Sequence, residues 1–362
     1  MVTFGLTKFI VLKKGLLIYG CYGYTGKLIS EHAVACGLKP VLAGRDSERV
    51  KQLANRLNLD FRVFDLNNQQ AVAEQLAPFQ VVIHCAGPFK FTSKAMANAC
   101  IQSKTHYLDI TGEYQVFEDI FGMDELAQKA EVLLMPGVGF DVVPTDCMAA
   151  FLKDLLPDAV SLEMGLLQRG GRLSHGTALT IAEGMGEKCV IRKNGKLTEI
   201  DNGSLVRKIN MDNKLRSAVA IPWGDISTAY RTTGIPNIVV YNFLPQKVID
   251  SMKFSNYISF ILKNKWVKKL AADRIKKRPA GPSDDERQRA SGSIWGEVKN
   301  GGGETKTAVI DLPEGYTLTA LTAVKIAQNV LSTSPPFGAK TPAQVYGKDF
   351  ILQFNGVSRR EI

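Results

Sequence analysis

Three glycines, Gly20, Gly23 and Gly26, stand at intervals of three where an apolar run gives way to a helix-like stretch, in GLLIYGCYGYTGKLI, residues 15 to 29. No other feature restricts the fold as much. A strand that passes straight into a helix through residues without side chains is what a dinucleotide pyrophosphate requires. The first glycine turns the chain, the second lets phosphate oxygens reach the backbone, and the third lets helix and strand pack closely. The spacing is GxxGxxG, not GxGxxG, and a glycine-rich turn in a buried sheet is the plainer alternative.

The residues beyond the turn favour the nucleotide. About twenty residues after the third glycine, an NAD-binding chain carries an acid for the ribose diol, whereas this chain reads LAGRDSER, with Arg45 at that point. A guanidinium there can hold the 2′-phosphate of NADP(H) with two hydrogen bonds. Asp46 beside it keeps NAD(H) as the second choice. The third strand ends in Asp65, suited to the adenine amino group, and the fourth in Cys85, Ala86, Gly87 and Pro88, small enough for close approach. Tyr22, Tyr24 and Thr25 between the glycines, and Gly112 further on, complete the expected cofactor contacts.

At 362 residues the chain exceeds one ordinary hydrophobic core, so two domains are expected. LLIYG, PVLAGR, FRVFDL, VVIHCAG, HYLDITG and VLLMPGVGF are short apolar runs alternating with helical patterns such as SERVKQLANRLN. That alternation predicts an α/β fold whose N-terminal domain, residues 1–146, is a Rossmann doubly wound parallel sheet. From about residue 150 the runs lengthen and hairpin turns such as NGGG, 300–303, appear. Residues 147–315 therefore read as a second α+β domain with a mixed or antiparallel sheet. TLTALTAVKIAQNVL, 317–331, has the period of an amphipathic helix.

The six cysteines form no CxxC pair and the four histidines show no ligand spacing, so neither a disulfide framework nor a metal is expected. The first twenty residues carry Lys8, Lys13 and Lys14 and no small-residue cleavage site, which makes a poor leader. With no long uncharged apolar run, a cytoplasmic protein is expected, or one peripheral to a membrane. The net charge of +10 is concentrated: between Lys263 and Arg278 eight basic residues face one acid, Asp273. The rest is nearly neutral, which argues against general nucleic-acid binding.

GCYGYTG, LAGRDSERV, HCAGPF, YLDITGE and GVGFDVVPTDC together resemble the NADP-binding domain of the saccharopine dehydrogenase-like family, which includes trans-acting enoyl reductases. The likeness continues through GTALTIAEGM, RTTGIPNIVVYNFLP, GPSDDERQRASGSIWGEV and EGYTLTALTA, from about residue 15 almost to the end. It implies a Rossmann domain, a substrate and dimerisation domain, and a C-terminal segment, 316–362, that packs back on the first. A homodimer is expected. His175, in SHGTA, departs from the small residue expected there.

Hydride transfer needs a proton donor or a group that polarises an oxygen, and the strand ends offer Tyr114, Asp141, Asp146 and His175. Tyr114, Asp141 and His175 are retained as catalytic candidates. Asp146, just before an apolar helical run, has the look of a helix cap, and Glu113 stands between contacting the nicotinamide ribose and ordering its own loop. None of the ten tyrosines has a lysine four positions later, which argues against a short-chain alcohol dehydrogenase.

The expected function is NAD(P)H-dependent reduction of a C=C bond of acyl or lipid type, or of a C=N bond. The alternatives are saccharopine-type reductive amination of a semialdehyde, which needs arginines for several carboxylates, and a catalytically silent cofactor-binding protein. The segment 254–278 alternates aromatic and aliphatic residues with lysines in the manner of an interfacial helix, with a solvated helix as the plainer reading.

Overall fold

A computed structural model describes residues 15–362; the N-terminal stretch read as a poor leader lies largely outside them. The first part runs β1 (Leu16–Tyr19), α1 (Tyr24–Ala35), β2 (Val41–Gly44), α2 (Ser47–Leu57), β3 (Phe61–Val63), α3 (Gln69–Leu76), β4 (Val81–His84), α4 (Ser93–Ser103), β5 (His106–Asp109), α5 (Tyr114–Phe121), α6 (Asp124–Lys129) and β6 (Leu133–Met135). All of these strands pair in parallel, in the order β6-β5-β4-β1-β2-β3. Each short apolar run of the first 140 residues supplies one of them. β1 and β4 are buried along their whole length, as strands covered by helices on both faces must be. The strand order reverses between β1 and β4, which opens a crevice beyond their carboxyl ends.

The second part continues through α7 (Val143–Leu155), β7 (Ala159–Arg169), α8 (His175–Glu183), β8 (Cys189–Lys193), β9 (Lys196–Ile200), β10 (Val206–Met211), β11 (Lys214–Ala220), α9 (Asp225–Thr233) and β12 (Asn237–Phe243). After it come α10 (Gln246–Ser255), α11 (Ser259–Leu262), α12 (Lys265–Lys276), α13 (Asp284–Arg289), β13 (Ser291–Asn300) and β14 (Thr305–Pro313). Its sheet is mixed: β7 and β12 pair in parallel and the other neighbours antiparallel. The turn at 300–303 joins β13 to β14 as expected. β11, KLRSAVA, is a strand that the alternation of the sequence did not reveal.

The remaining elements are α14 (Gly315–Ser332), β15 (Gly338–Ala339), α15 (Pro342–Tyr346) and β16 (Ser358–Glu361). They divide between the two sheets. α14 packs along α1 and against β4 and β5, and β15 extends the first sheet beside β6. β16 instead pairs antiparallel with β14 in the second sheet. α7 packs against β13 and β14 of the second sheet and against α9, and its residues join the core that runs through both parts.

Asp146 does not cap α7. Val142 is the residue at that position, with Pro144 in the first turn, and Asp146 sits inside the helix, fully buried. It accepts hydrogen bonds from the Ala343 amide at 2.7 Å and the Thr232 hydroxyl at 2.5 Å. A carboxylate so placed ties α7 to α9 and to the chain's last helix.

Candidate functional site

The three glycines are needed for different reasons. Gly20 has φ of +79°, and a Cβ there would lie 2.8 Å from the Ala86 amide nitrogen. A Cβ on Gly26 would lie 2.3 Å from the Gly20 carbonyl oxygen. Both positions are closed by the protein itself. Gly23 has an ordinary extended backbone, and its missing Cβ would approach nothing closer than the Gly20 oxygen at 3.3 Å. Beyond that oxygen, no further atom crowds the position. Gly23 is also the N-cap of α1 and no side chain caps this helix, so its first-turn N–H groups have no side-chain acceptor. An uncapped helix N-terminus that starts at a glycine is a seat for phosphate, and the residues present therefore fit a dinucleotide.

Arg45 is exposed immediately after β2. Asp46 is not free to select a ribose diol: it caps α2, accepting the Arg49 amide at 3.1 Å. Arg49 was missed in the sequence. Its guanidinium stacks on the Tyr22 ring, 4.5 Å from the centroid, and donates to the Tyr22 carbonyl. That stack is visible only once the first turn of α2 meets the glycine loop. Asp65 is exposed after β3, where its carboxylate accepts the Asn67 amide at 2.9 Å.

Tyr24 is committed elsewhere. Its hydroxyl donates to the Pro282 carbonyl at 2.7 Å and receives Arg287 at 3.1 Å, and its ring meets Tyr316 edge-on at 5.1 Å. Its backbone N–H remains as its contribution to the turn. Thr25 is half-buried beside it. Cys85 and Ala86 are half-buried, and Gly87 is exposed at the carboxyl end of β4.

Beyond β5 the loop is held by carboxylates. Asp109 accepts the Tyr107 hydroxyl at 2.6 Å and the amides of Thr111 and Gly137 at 2.9 Å each, so it joins the ends of β5 and β6. Burial raises its pKa to about 6. Glu113 accepts the amides of Phe89 and Lys90 at 2.7 and 3.1 Å, which fixes the turn after Pro88. Lys90 reaches on to Glu183 of α8 at 3.2 Å. Glu113 thus orders a loop, and the loop is its neighbour's.

The catalytic candidates do not converge. His175 starts α8; its amide donates to the Ala280 carbonyl and its Nε2 meets the Arg278 carbonyl at 2.7 Å, so the ring fastens the 278–280 segment. Tyr114 is half-buried at the start of α5, and its pKa is raised by burial and then by the charges of Glu199 and Glu187, which places it toward the β8–β9 hairpin. Asp141 alone lies with Gly112. A Cβ on Gly112 would fall 2.9 Å from Asp141 Oδ2 and 2.7 Å from Trp223 Nε1.

Asp141 also faces a cavity of about 10 Å³, the size one water needs, lined in part by Thr145, Trp223 and Asp225. Asp225, on α9, is buried; Thr145 donates to its Oδ1, while its Oδ2 has no partner among the described residues. Burial pushes the Asp141 carboxyl up to about 7, and burial with the nearby acids raises Asp225 well above the usual range. Asp225 keeps its proton at neutrality, and Asp141 exchanges its own near pH 7. Trp223 and Asp225, in IPWGDIS, carry no local motif and escaped the sequence reading.

Residues 16–135 match the saccharopine dehydrogenase NADP binding domain. The bovine "Saccharopine dehydrogenase-like oxidoreductase" is 23% identical over 203 residues, covering 49% of this chain and 47% of that protein. The "Trans-acting enoyl reductase" of Mycobacterium tuberculosis is 28% identical over 141 residues, 36% of this chain and 33% of that one. The match thus spans about half, or less, of these relatives' length. Among solved structures, the apo saccharopine dehydrogenase (L-Glu forming) of Saccharomyces cerevisiae superposes with a TM-score of 0.65 at 13% identity, over 96% of this chain and 100% of that one. The homospermidine synthase of Legionella pneumophila, in complex with NAD, gives 0.64 at 11%, over 97% and 92%. At such identities these two establish the fold alone; the matched domain and the relatives make this chain similar to the saccharopine dehydrogenase-like, NADP-binding oxidoreductases.

Proposed function

We propose that this protein is an NADP(H)-dependent oxidoreductase that reduces a C=C bond of acyl or lipid type, with Asp141 as the proton donor. The observation that carries the reading is the position of Asp141, a half-buried carboxyl against Gly112 whose pKa is pushed up to about 7. When bound, the reduced nicotinamide supplies a hydride. The first turn of α1 holds the pyrophosphate, and Arg45 and Arg49 together receive the 2′-phosphate. Glu113 keeps the 88–90 turn in place beside the reacting region.

Reduction of a polarised C=C bond adds hydride to one carbon and a proton to its neighbour. Asp141 gives that proton and is left as a carboxylate with no cation paired to it among the described residues, so it recovers a proton readily. Asp225, across a water-sized gap, is the nearest store.

Reductive amination has weaker support. It needs open guanidinium groups for carboxylates, and most of the arginines in the second part are already paired. Arg169 meets Asp212, Arg172 meets Glu286, Arg207 meets Glu163 and Glu297, and Arg231 meets Asp124. Of the arginines from Arg169 to Arg231, Arg216 remains without an ion pair among the described residues, its Nε buried and unpartnered.

NADPH oxidation by the purified protein tests the proposal, with enoyl thioesters as one acceptor set and a semialdehyde plus glutamate or lysine as the other. Turnover with the thioesters is expected. Turnover only with the second set would replace C=C reduction by reductive amination, and tight NADPH binding with neither would favour a silent binding protein.

A further inference from the structure

The stretch from α10 to α12 leaves its large apolar side chains in water. Phe254, Tyr257, Phe260, Ile261, Trp266 and Leu270 are all exposed, with Tyr257 at 80%, Phe260 at 73% and Trp266 at 74% relative accessibility. Six such residues within seventeen positions form a patch that a solvated helix does not need. In α12 the inner face is carried by Val267, Ala271, Ala272 and Ile275, which are partly or wholly buried. Trp266 and Leu270, one turn apart, point outward with Lys269, Arg274 and Lys277.

The cations around this patch are mostly uncommitted. Lys263 meets Glu187 at 3.8 Å and Lys276 meets Asp273 at 3.6 Å, but among the described residues Lys265, Lys269, Arg274 and Lys277 have no acidic partner. Lys269 lies 5.6 Å from the Trp266 ring centre. Aromatic rings and aliphatic tips flanked by unpaired lysines match the boundary between acyl chains and anionic headgroups, where the rings enter the interface and the cations meet phosphates. A folded protein partner would be expected to offer acids that pair with the cations individually, with an apolar socket for the rings; nothing in this open, multi-helix patch forms such a complementary relief.

We infer that the face formed by α10, α11 and α12 docks on an anionic lipid bilayer, lying on it without crossing it. Among the described residues no helix is long and apolar enough to span a membrane. The docking face is wired to the cofactor crevice: α12 packs on α8, Lys268 donates to the Glu183 carbonyl at 2.6 Å, and Glu183 holds Lys90 of the turn that Glu113 fixes. Docking therefore sets the protein down with its crevice-side helix α8 directly behind the lipid-facing one. Docking needs only this surface and does not depend on the reductase reading.

Co-sedimentation of the full chain with vesicles of phosphatidylcholine alone, or of phosphatidylcholine with phosphatidylglycerol, tests it. Binding is expected to the anionic vesicles only at low salt, falling by about tenfold as ionic strength shrinks the screening length toward a few ångströms. Two double variants, Phe260→Ser with Trp266→Ser and Lys265→Gln with Lys269→Gln, should each lose that binding while keeping NADPH affinity, which reports an intact fold. A blue shift of tryptophan emission on adding anionic vesicles should vanish with Trp266→Phe. No sedimentation of the parent protein at low salt, equal binding to neutral vesicles, or binding unchanged in both double variants would overturn the inference.

Discussion

Asp141 and Asp225 face one cavity from two different parts of the chain, and among the described residues the only hydroxyl bonded to either carboxyl is that of Thr145, on Asp225. Burial raises both carboxyls, and the charge of Asp141 adds to the rise at Asp225.

Asp141→Asn is expected to lower turnover strongly and to remove its fall on the alkaline side of about pH 7, while leaving NADPH affinity within a few-fold. The sign for stability comes from the raised pKa of about 7. The folded state binds the proton more tightly than the unfolded chain, so the parent protein loses stability as pH rises from about 4 to 7 and stays low above. The variant, with no charge to bury, should match the parent at pH 4 and exceed it by roughly 1–2 kcal/mol at pH 8, discounting the full shift for residual solvent contact. Thermal melts at the two pH values check this; a constant difference would mean that Asp141 does not titrate in this range.

Arg45→Ala and Arg49→Ala should each weaken NADPH binding by about 1–3 kcal/mol, as expected for a lost charge-assisted contact, and leave NADH almost unchanged. Fluorescence titration with both cofactors measures it. Equal losses would remove these guanidinium groups from the 2′-phosphate.

The glycines separate fold from function. Gly26→Ala, with its Cβ 2.3 Å from a backbone oxygen, should destabilise the protein itself. Gly23→Val meets only the Gly20 oxygen, 3.3 Å from its Cβ, and should destabilise the protein less than Gly26→Ala, yet lose NADPH affinity by more than about tenfold, because its side chain takes the phosphate's place. A stable Gly23→Val protein with normal affinity would move the cofactor elsewhere.

Arg192 is buried, and donates to the carbonyls of Ile226 and Gly195 and to Glu118 at 2.5 Å. It fastens α5 to α9 and β8. Arg192→Met should cost about 1–3 kcal/mol through the unsatisfied carbonyls, seen as a lower denaturant midpoint.

Legibility in the sequence depended on whether a signal was local. The glycine turn, the parallel strands and Arg45 are set by residues within one strand-turn-helix unit, and the sequence shows them directly. Arg49 needed the stack on Tyr22 across 27 positions, and Asp225 needed Thr145 across 80. No periodicity encodes such pairs. β16 was hidden because SRRE has no apolar alternation; it is an edge strand held by backbone pairing with β14 and by Arg360 on Asp311. Asp146 read as a cap because a short acid before an apolar run is what a cap looks like, and only the approach of Ala343 and Thr232 gives it a buried role.

The packing of α14 along α1 also sets an order of events at the ribosome. α1 emerges early, carrying the nucleotide turn, but the helix that covers its flank lies nearly three hundred residues downstream. Until residues 315–332 have been made, the growing chain exposes that apolar flank, and a contact of such long range closes slowly. The element that starts the nucleotide turn is therefore among the last to gain its full packing.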